Sequence, residues 1–263
     1  MTMEGFISDL LDQCNIRGSV ATPATCDLFK VDESKPILSD NERSEFHSTT
    51  AKLLYLSKRA RPDLLTALSF LTTRVKQPTI QDMDKLRRVL RYLNGSRELG
   101  LTLKAESPCK VFLYCDASFA VHPDFKSHTG AFITVGKGPV WTKSSRQKLN
   151  SKSSTEAELI GVSDALPQLI WTRDFLQEQG IKMVPSTIFQ DNMSTIALME
   201  RGIATAATTR HFGIRLFFVK DRIEAGDMSV EYMPTVDMAA DFLTKPLQGD
   251  LFRKMRKMLL GMA

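Results

Sequence analysis

The stretch VFLYCDASFA, Val111 to Ala120, decides how this chain is read. Its first four residues are β-branched, aliphatic or aromatic and the fifth is Cys115, a composition suited to the middle of a sheet. It then ends on a carboxylate, Asp116, followed by the small residues Ala117 and Ser118. A lone Asp after a strand commonly just opens a turn, so the reading turns on whether other carboxylates can reach it. Asp191 closes the apolar run STIFQ in the same way and is followed by Asn192-Met193-Ser194. If the two strands run parallel and adjacent, their carboxylates lie about 5 Å apart at the sheet end, a distance that a divalent metal can bridge.

A long helix from about Ser154 to Gln179 offers a third carboxylate, and the helical wheel separates two neighbours. Its core stripe is Leu159, Val162, Ala165, Leu166, Leu169 and Leu176. Glu158 falls about 45° from the centre of that stripe and is expected to face the sheet, whereas Glu156 lies well over about 100° away, facing solvent near the positive helix end. An inward carboxylate is costly unless a proton, cation or metal accompanies it. Pro167 is expected to interrupt or kink this helix at a cost of about 3 kcal/mol. A fourth carboxylate, Asp241, lies in MAADFLTKPL, read as part of a last helix, VDMAADFLTK. Four such groups would raise one another's pKa by repulsion, and bound Mg²⁺ removes that difficulty.

The rest of the chain sets the frame. Its 263 residues are 43% hydrophobic, enough for one large domain or two ordinary ones. A net charge of +5 permits a polyanionic partner without requiring one. Cys14, Cys26, Cys109 and Cys115 show neither C-x-x-C pairing nor zinc-ligand spacing, which favours a reducing compartment. No apolar run reaches the roughly 18 residues of a membrane span and no signal pattern opens the chain, so a soluble, intracellular protein is expected. Residues 1–105 read as mainly helical: HSTTAKLLYLSKRA and RPDLLTALSFLTTRV are split at Arg61-Pro62, and a third helix buries Leu86, Val89, Leu90 and Leu93. Three strands then follow in succession, the second and third joined by a hairpin at Gly136-Lys137-Gly138, before helices and strands alternate.

In order, YCDAS, SSTEAELIGVSDAL, QDNMSTIALM, TRHFGIRLFFVKD and EYMPTVDMAADFLTKPL resemble the ribonuclease H domain that closes the polyprotein of copia-type LTR retrotransposons. Upstream, ATPAT, LLYLSKRARPDLLTALSFL and KLRRVLRYLNGS resemble the end of the same polyprotein's reverse transcriptase. The resemblance implies an α/β, ribonuclease H-like fold: a five-stranded mixed sheet flanked by helices, preceded by a mainly helical remnant. The expected divisions are 1–105 for that thumb- or connection-like remnant, 106–247 for the ribonuclease H domain, and 248–263 for a basic amphipathic helix. It also implies hydrolysis of the RNA strand of an RNA–DNA hybrid by Asp116, Glu158, Asp191 and Asp241 holding two Mg²⁺ or Mn²⁺ ions, with Glu156 as the alternative to Glu158.

His211 in TRHFG is read either as a proton shuttle, because an unperturbed imidazole titrates near neutrality, or as a helix-start histidine at the surface, while His122 and His128 are read as residues of a polar loop. Substrate contacts are expected from TKSSRQKLNSKSS, through Lys143, Arg146, Lys148, Asn150, Lys152 and Ser154, and from Ser118 and Asn192. The expected partners are the hybrid and the rest of a reverse transcriptase polyprotein, in the cytoplasm, a virus-like particle or the nucleus. No Asp-Asp pair occurs, so polymerase activity is not expected. The competing readings are a catalytically silent nucleic-acid-binding module and, less well matched in element order, an integrase-like transferase.

Overall fold

The computed structural model describes residues 1–202 and 213–262. Two compact units are present, one of Met1–Thr102 with Lys245–Ala263 and one of Leu103–Thr244. The first contains helices α1 (Glu4–Gln13), α2 (Asp40–Arg59), α3 (Leu65–Arg74) and α4 (Ile80–Asn94). Pro62 opens a 3₁₀ turn, Pro62–Leu64, between α2 and α3, because its fixed φ suits a helix start and it has no N–H to leave unpaired. At the start of α4 the Asp82 carboxylate accepts the Thr79 N–H at 2.9 Å, while the Thr79 hydroxyl accepts the Asp82 N–H, satisfying two otherwise orphaned donors. Leu86, Val89, Leu90 and Leu93 are buried as their spacing requires.

Beneath them, Arg61 and Asp63 are both buried and doubly hydrogen bonded, at 2.9 and 2.7 Å. The Tyr92 hydroxyl donates to the same carboxylate at 2.6 Å. Burial alone would push the Asp63 carboxyl up, yet Arg61 and these hydrogen bonds hold it below its ordinary range.

The second unit begins with β1 (Lys104–Ala105), β2 (Phe112–Ser118), β3 (His128–Thr134), β4 (Gly136–Lys137) and β5 (Pro139–Arg146). It continues with α5 (Ser154–Glu178), β6 (Ser186–Gln190), α6 (Met193–Arg201), α7 (Gly213–Glu224) and β7 (Met228–Tyr232). After the 3₁₀ turn Ala239–Leu243, the chain returns to the first unit as α8 (Gly249–Leu259). The main sheet has the order β5-β3-β2-β6-β7, and the two-residue strands β1 and β4 form a separate ribbon. β2, β3 and β5 are antiparallel, whereas β6 runs parallel to both β2 and β7. This is the five-stranded mixed sheet with flanking helices of the ribonuclease H fold.

Strand alternation divides the sheet between two environments. Leu113, Cys115, Ala131, Ile133 and Ile188 join Leu159, Val162, Leu166 and Leu169 of α5 in one core cluster. On the other face Tyr114 stacks on Phe132 at 4.4 Å between ring centroids and meets Phe189 at 4.8 Å. Near the end of β2, that face is covered by the turn Ala239–Leu243.

Three local expectations need correction. α5 runs unbroken through Pro167, because its long apolar stripe is anchored on the sheet on both sides of the proline. The segment expected as a last helix is a five-residue 3₁₀ turn. All five of its residues are buried, so there is no solvent face for an amphipathic helix, and Pro246 disfavours helical backbone at Lys245. His122 and His128 are not in a polar loop surface: they are 4% and 0% exposed, and His128 lies in β3, because the two rings pair with each other. The segment containing His211 lies outside the described residues.

Candidate metal and nucleic-acid site

The parallel register of β2 and β6, with Tyr114 beside Phe189, brings Asp116 level with Asp191. Asp116 sits two residues before the end of β2, with its side chain on the sheet face covered by the 3₁₀ turn. Asp241 arrives from that turn. One carboxylate oxygen from each of Asp116, Asp191 and Asp241 lies within 4.8 Å of the others. Asp116 and Asp241 are buried and Asp191 is half-buried.

Glu158 approaches from α5 and is 4% exposed, in agreement with its place on the wheel. Its carboxylate accepts the Gln190 side-chain N–H at 3.2 Å and the Ala117 backbone N–H. Burial, and then the charges of Asp116 and Asp191, push its pKa well above the ordinary carboxylate range despite these two donors. Glu156 does not face solvent as expected. It is buried at the helix start, where its carboxylate accepts the Lys152 N–H at 2.6 Å and its own N–H donates to Ser153 Oγ at 3.2 Å. Glu156 thus closes the helix end, where orphaned N–H groups draw a carboxylate inward.

Several residues that prepare the site carry no obvious signal in the sequence. Thr244, in FLTKP, donates its hydroxyl hydrogen bond to Asp116. Gly130, the residue opposite Asp116 on β3, leaves the notch into which the turn fits. A Cβ there would lie 2.6 Å from Thr244 Cγ2 and 2.8 Å from both the Ala240 carbonyl oxygen and Leu243 Cβ. Gln190 uses its side-chain oxygen to accept the N–H groups of Asp191 and Asn192 at 2.8 and 3.0 Å, fixing the chain as it leaves β6. Thr235 donates to Asp191 at 2.8 Å.

The expected substrate-contacting residues are placed differently from one another. Asn192 caps α6 by accepting the Thr195 N–H at 3.1 Å. Ser118 is buried beside the carboxylates, and its hydroxyl has no hydrogen-bond partner within the described chain. Lys143 pairs with Asp164 at 3.7 Å and Arg146 with Asp124 at 2.6 Å. Lys148, Asn150, Lys152 and Ser154 are exposed around the start of α5.

The chain is 30% identical over 96% of its length to the Retrovirus-related Pol polyprotein from transposon RE2 of Arabidopsis thaliana, spanning 17% of that protein. It is 31% identical over 80% of its length to the Pol polyprotein from transposon RE1 of the same plant, spanning 14% of it. The chain is a homologue of copia-type retrotransposon Pol polyproteins. It therefore spans about one sixth of the length of these relatives. No family model matches it. Among solved structures, LC11-RNase H1, isolated from compost by a metagenomic approach, is 20% identical with a TM-score of 0.41, covering 51% of this chain and 91% of that one. Among the described residues of this Pol homologue, no helix is long and apolar enough to cross a membrane.

Proposed function

We propose that this Pol homologue is a divalent-metal-dependent endoribonuclease that hydrolyses the RNA strand of RNA–DNA hybrids. The observation that carries the reading is the convergence of Asp116, Asp191 and Asp241 within 4.8 Å at the ends of adjacent parallel strands, with Glu158 beside them. Such an all-oxygen donor set suits Mg²⁺ or Mn²⁺, and the pKa of Glu158 is raised first by its burial and then by the negative charges of Asp116 and Asp191. Two bound ions would supply charge neutralisation and a more acidic water for attack on phosphorus.

The chain's own part is positioning. Asp116 is held rigidly by its strand and by Thr244, so that its oxygens do not wander. Gln190 and the Ala117 N–H orient Glu158 and favour its ionised form, so that its proton is released when positive charge enters. Asp191 and Asp241 complete the donor set from β6 and the turn. The exposed Lys148 and Lys152 are suited to phosphates, and Asn150 and Ser154 to 2′-hydroxyls, the groups that distinguish RNA from DNA. In this reading Ser118 and Asn192, near Asp116 and Asp191 in the chain, contact the substrate together with Lys143 and Arg146, and His211 is the proton carrier. The mainly helical unit is read as the end of a reverse transcriptase, so the natural context is the remainder of a Pol polyprotein.

The test is incubation of the intact chain with a labelled RNA–DNA hybrid, with and without Mg²⁺. Metal-dependent cleavage that Asp116→Asn abolishes is expected. Salt-sensitive hybrid binding without cleavage, or cleavage undiminished in Asp116→Asn, overturns the nuclease reading.

A further inference from the structure

One strand away from Asp116, a buried pair of imidazoles is joined to the turn that carries Asp241. His122 Nε2 lies 2.9 Å from His128 Nδ1, and His128 Nε2 lies 2.8 Å from Ser144 Oγ. Ser144 Oγ in turn donates to the Leu243 carbonyl at 2.7 Å. The direction of this chain follows from its last member, since a carbonyl only accepts and a serine hydroxyl has one hydrogen to give. Ser144 must therefore accept from the His128 Nε2–H. That leaves His128 Nδ1 bare, so it accepts from the His122 Nε2–H. The Leu243 carbonyl also supports the His128 ring directly.

We propose that His128 and Ser144 are positioning residues for the carboxylate centre, latching Leu243, and with it the turn bearing Asp241, onto β3 and β5. A five-residue 3₁₀ turn has weak internal hydrogen bonding, so its place is set by what it docks against. On one side Thr244 reaches Asp116, in the middle the turn sits over Gly130, and on the far side Ser144 holds Leu243. Without the far contact the turn can pivot about Thr244, and Asp241 is the group that the pivot displaces. Burial lowers both imidazoles, His122 to about 4 and His128 to about 3, so the chain keeps its single direction at neutral pH.

The activity part of this inference rests on the nuclease reading, but the structural part does not. The experiment is amide hydrogen exchange on the metal-free, full-length Ser144→Ala protein, together with Mg²⁺ titration of hybrid cleavage. The amides of Asp241 and Thr244, which bond within the turn at 3.0 and 3.1 Å, are expected to exchange about tenfold faster, with those of β2 and β3 unchanged. Half-saturating Mg²⁺ is expected to rise about tenfold while turnover at saturating Mg²⁺ stays within about twofold of the parent. His128→Leu, close in volume, breaks the same chain from the ring side and is expected to give the same turn-only acceleration. Unchanged exchange in the turn, or equal acceleration in β2 and β3, overturns the latch. If the parent protein cleaves no hybrid, the nuclease reading fails and the exchange result alone decides the latch.

Discussion

Replacing Asp116 by Asn should make the metal-free protein more stable while making the Mg²⁺-saturated protein relatively less so. Two unit charges 4.8 Å apart interact by about 3.5 kcal/mol at an effective dielectric of about 20, and Asp116 has two such neighbours as well as Glu158. The half-buried position of Asp191 screens its share, and protonation of Glu158 removes part of the rest. Asn keeps the oxygen that accepts from Thr244 and adds an N–H₂ among carboxylate acceptors. A net gain of about 2 kcal/mol follows, or roughly 4–8 °C in melting temperature. Mg²⁺ at a hundred times its dissociation constant would stabilise the parent by about 2.7 kcal/mol, whereas the variant, short of one ligand, should gain less than about 1 kcal/mol. Scanning calorimetry in EDTA and across a Mg²⁺ titration should therefore show the variant's lead shrink by at least about 1.7 kcal/mol, nearly closing, as Mg²⁺ saturates. A variant less stable than the parent in EDTA would refute the idea that these carboxylates repel one another in the metal-free site.

Four further outcomes are expected. Glu158→Gln should lower hybrid cleavage roughly a thousandfold, the equivalent of several kcal/mol of transition-state stabilisation. Glu156→Gln should leave the rate within about threefold and cost about 1 kcal/mol in urea unfolding, since its carboxylate serves the helix start. The buried imidazoles make the fold acid-labile: their contribution is complete above the ordinary imidazole value of 6.5 and is lost as the pH falls from there through about 4 and about 3. Urea midpoints between pH 8 and pH 5 should accordingly fall more steeply in the parent than in His122→Gln, and identical slopes would contradict the assignment. In the helical unit, Asp63→Ala should cost about 3–5 kcal/mol because it strands the Arg61 charge, and Tyr92→Phe about 1–2 kcal/mol. Denaturant unfolding reads both.

Much of the fold was legible because its signals are local. The run STIFQ matches β6 residue for residue, since the strand formers Thr187, Ile188 and Phe189 stand together between the punctuating Pro185 and Asp191. The wheel placed Glu158 correctly, since the stripe Leu159, Val162, Leu166 and Leu169 can face only the sheet. It misplaced Glu156, because at a helix start the pull of unpaired N–H groups overrides the wheel. The turn that carries Asp241 was misread as a helix for a related reason: its conformation is dictated by Gly130 and Thr244, which contribute nothing to a local pattern.

The sequence by itself determined the five strands of the main sheet, the carboxylates at or near the ends of two of them, and which helical carboxylate turns inward, because periodicity and propensity act within a few residues. Only the tertiary structure decided that Asp116, Asp191 and Asp241 share one space. It also decided that His122 and His128 are buried and linked through Ser144 to Leu243. The physical reason is that pairing across strands and the docking of a short turn join residues up to 128 positions apart, as Thr244 and Asp116 are. Contacts over that separation leave no periodic trace in the chain.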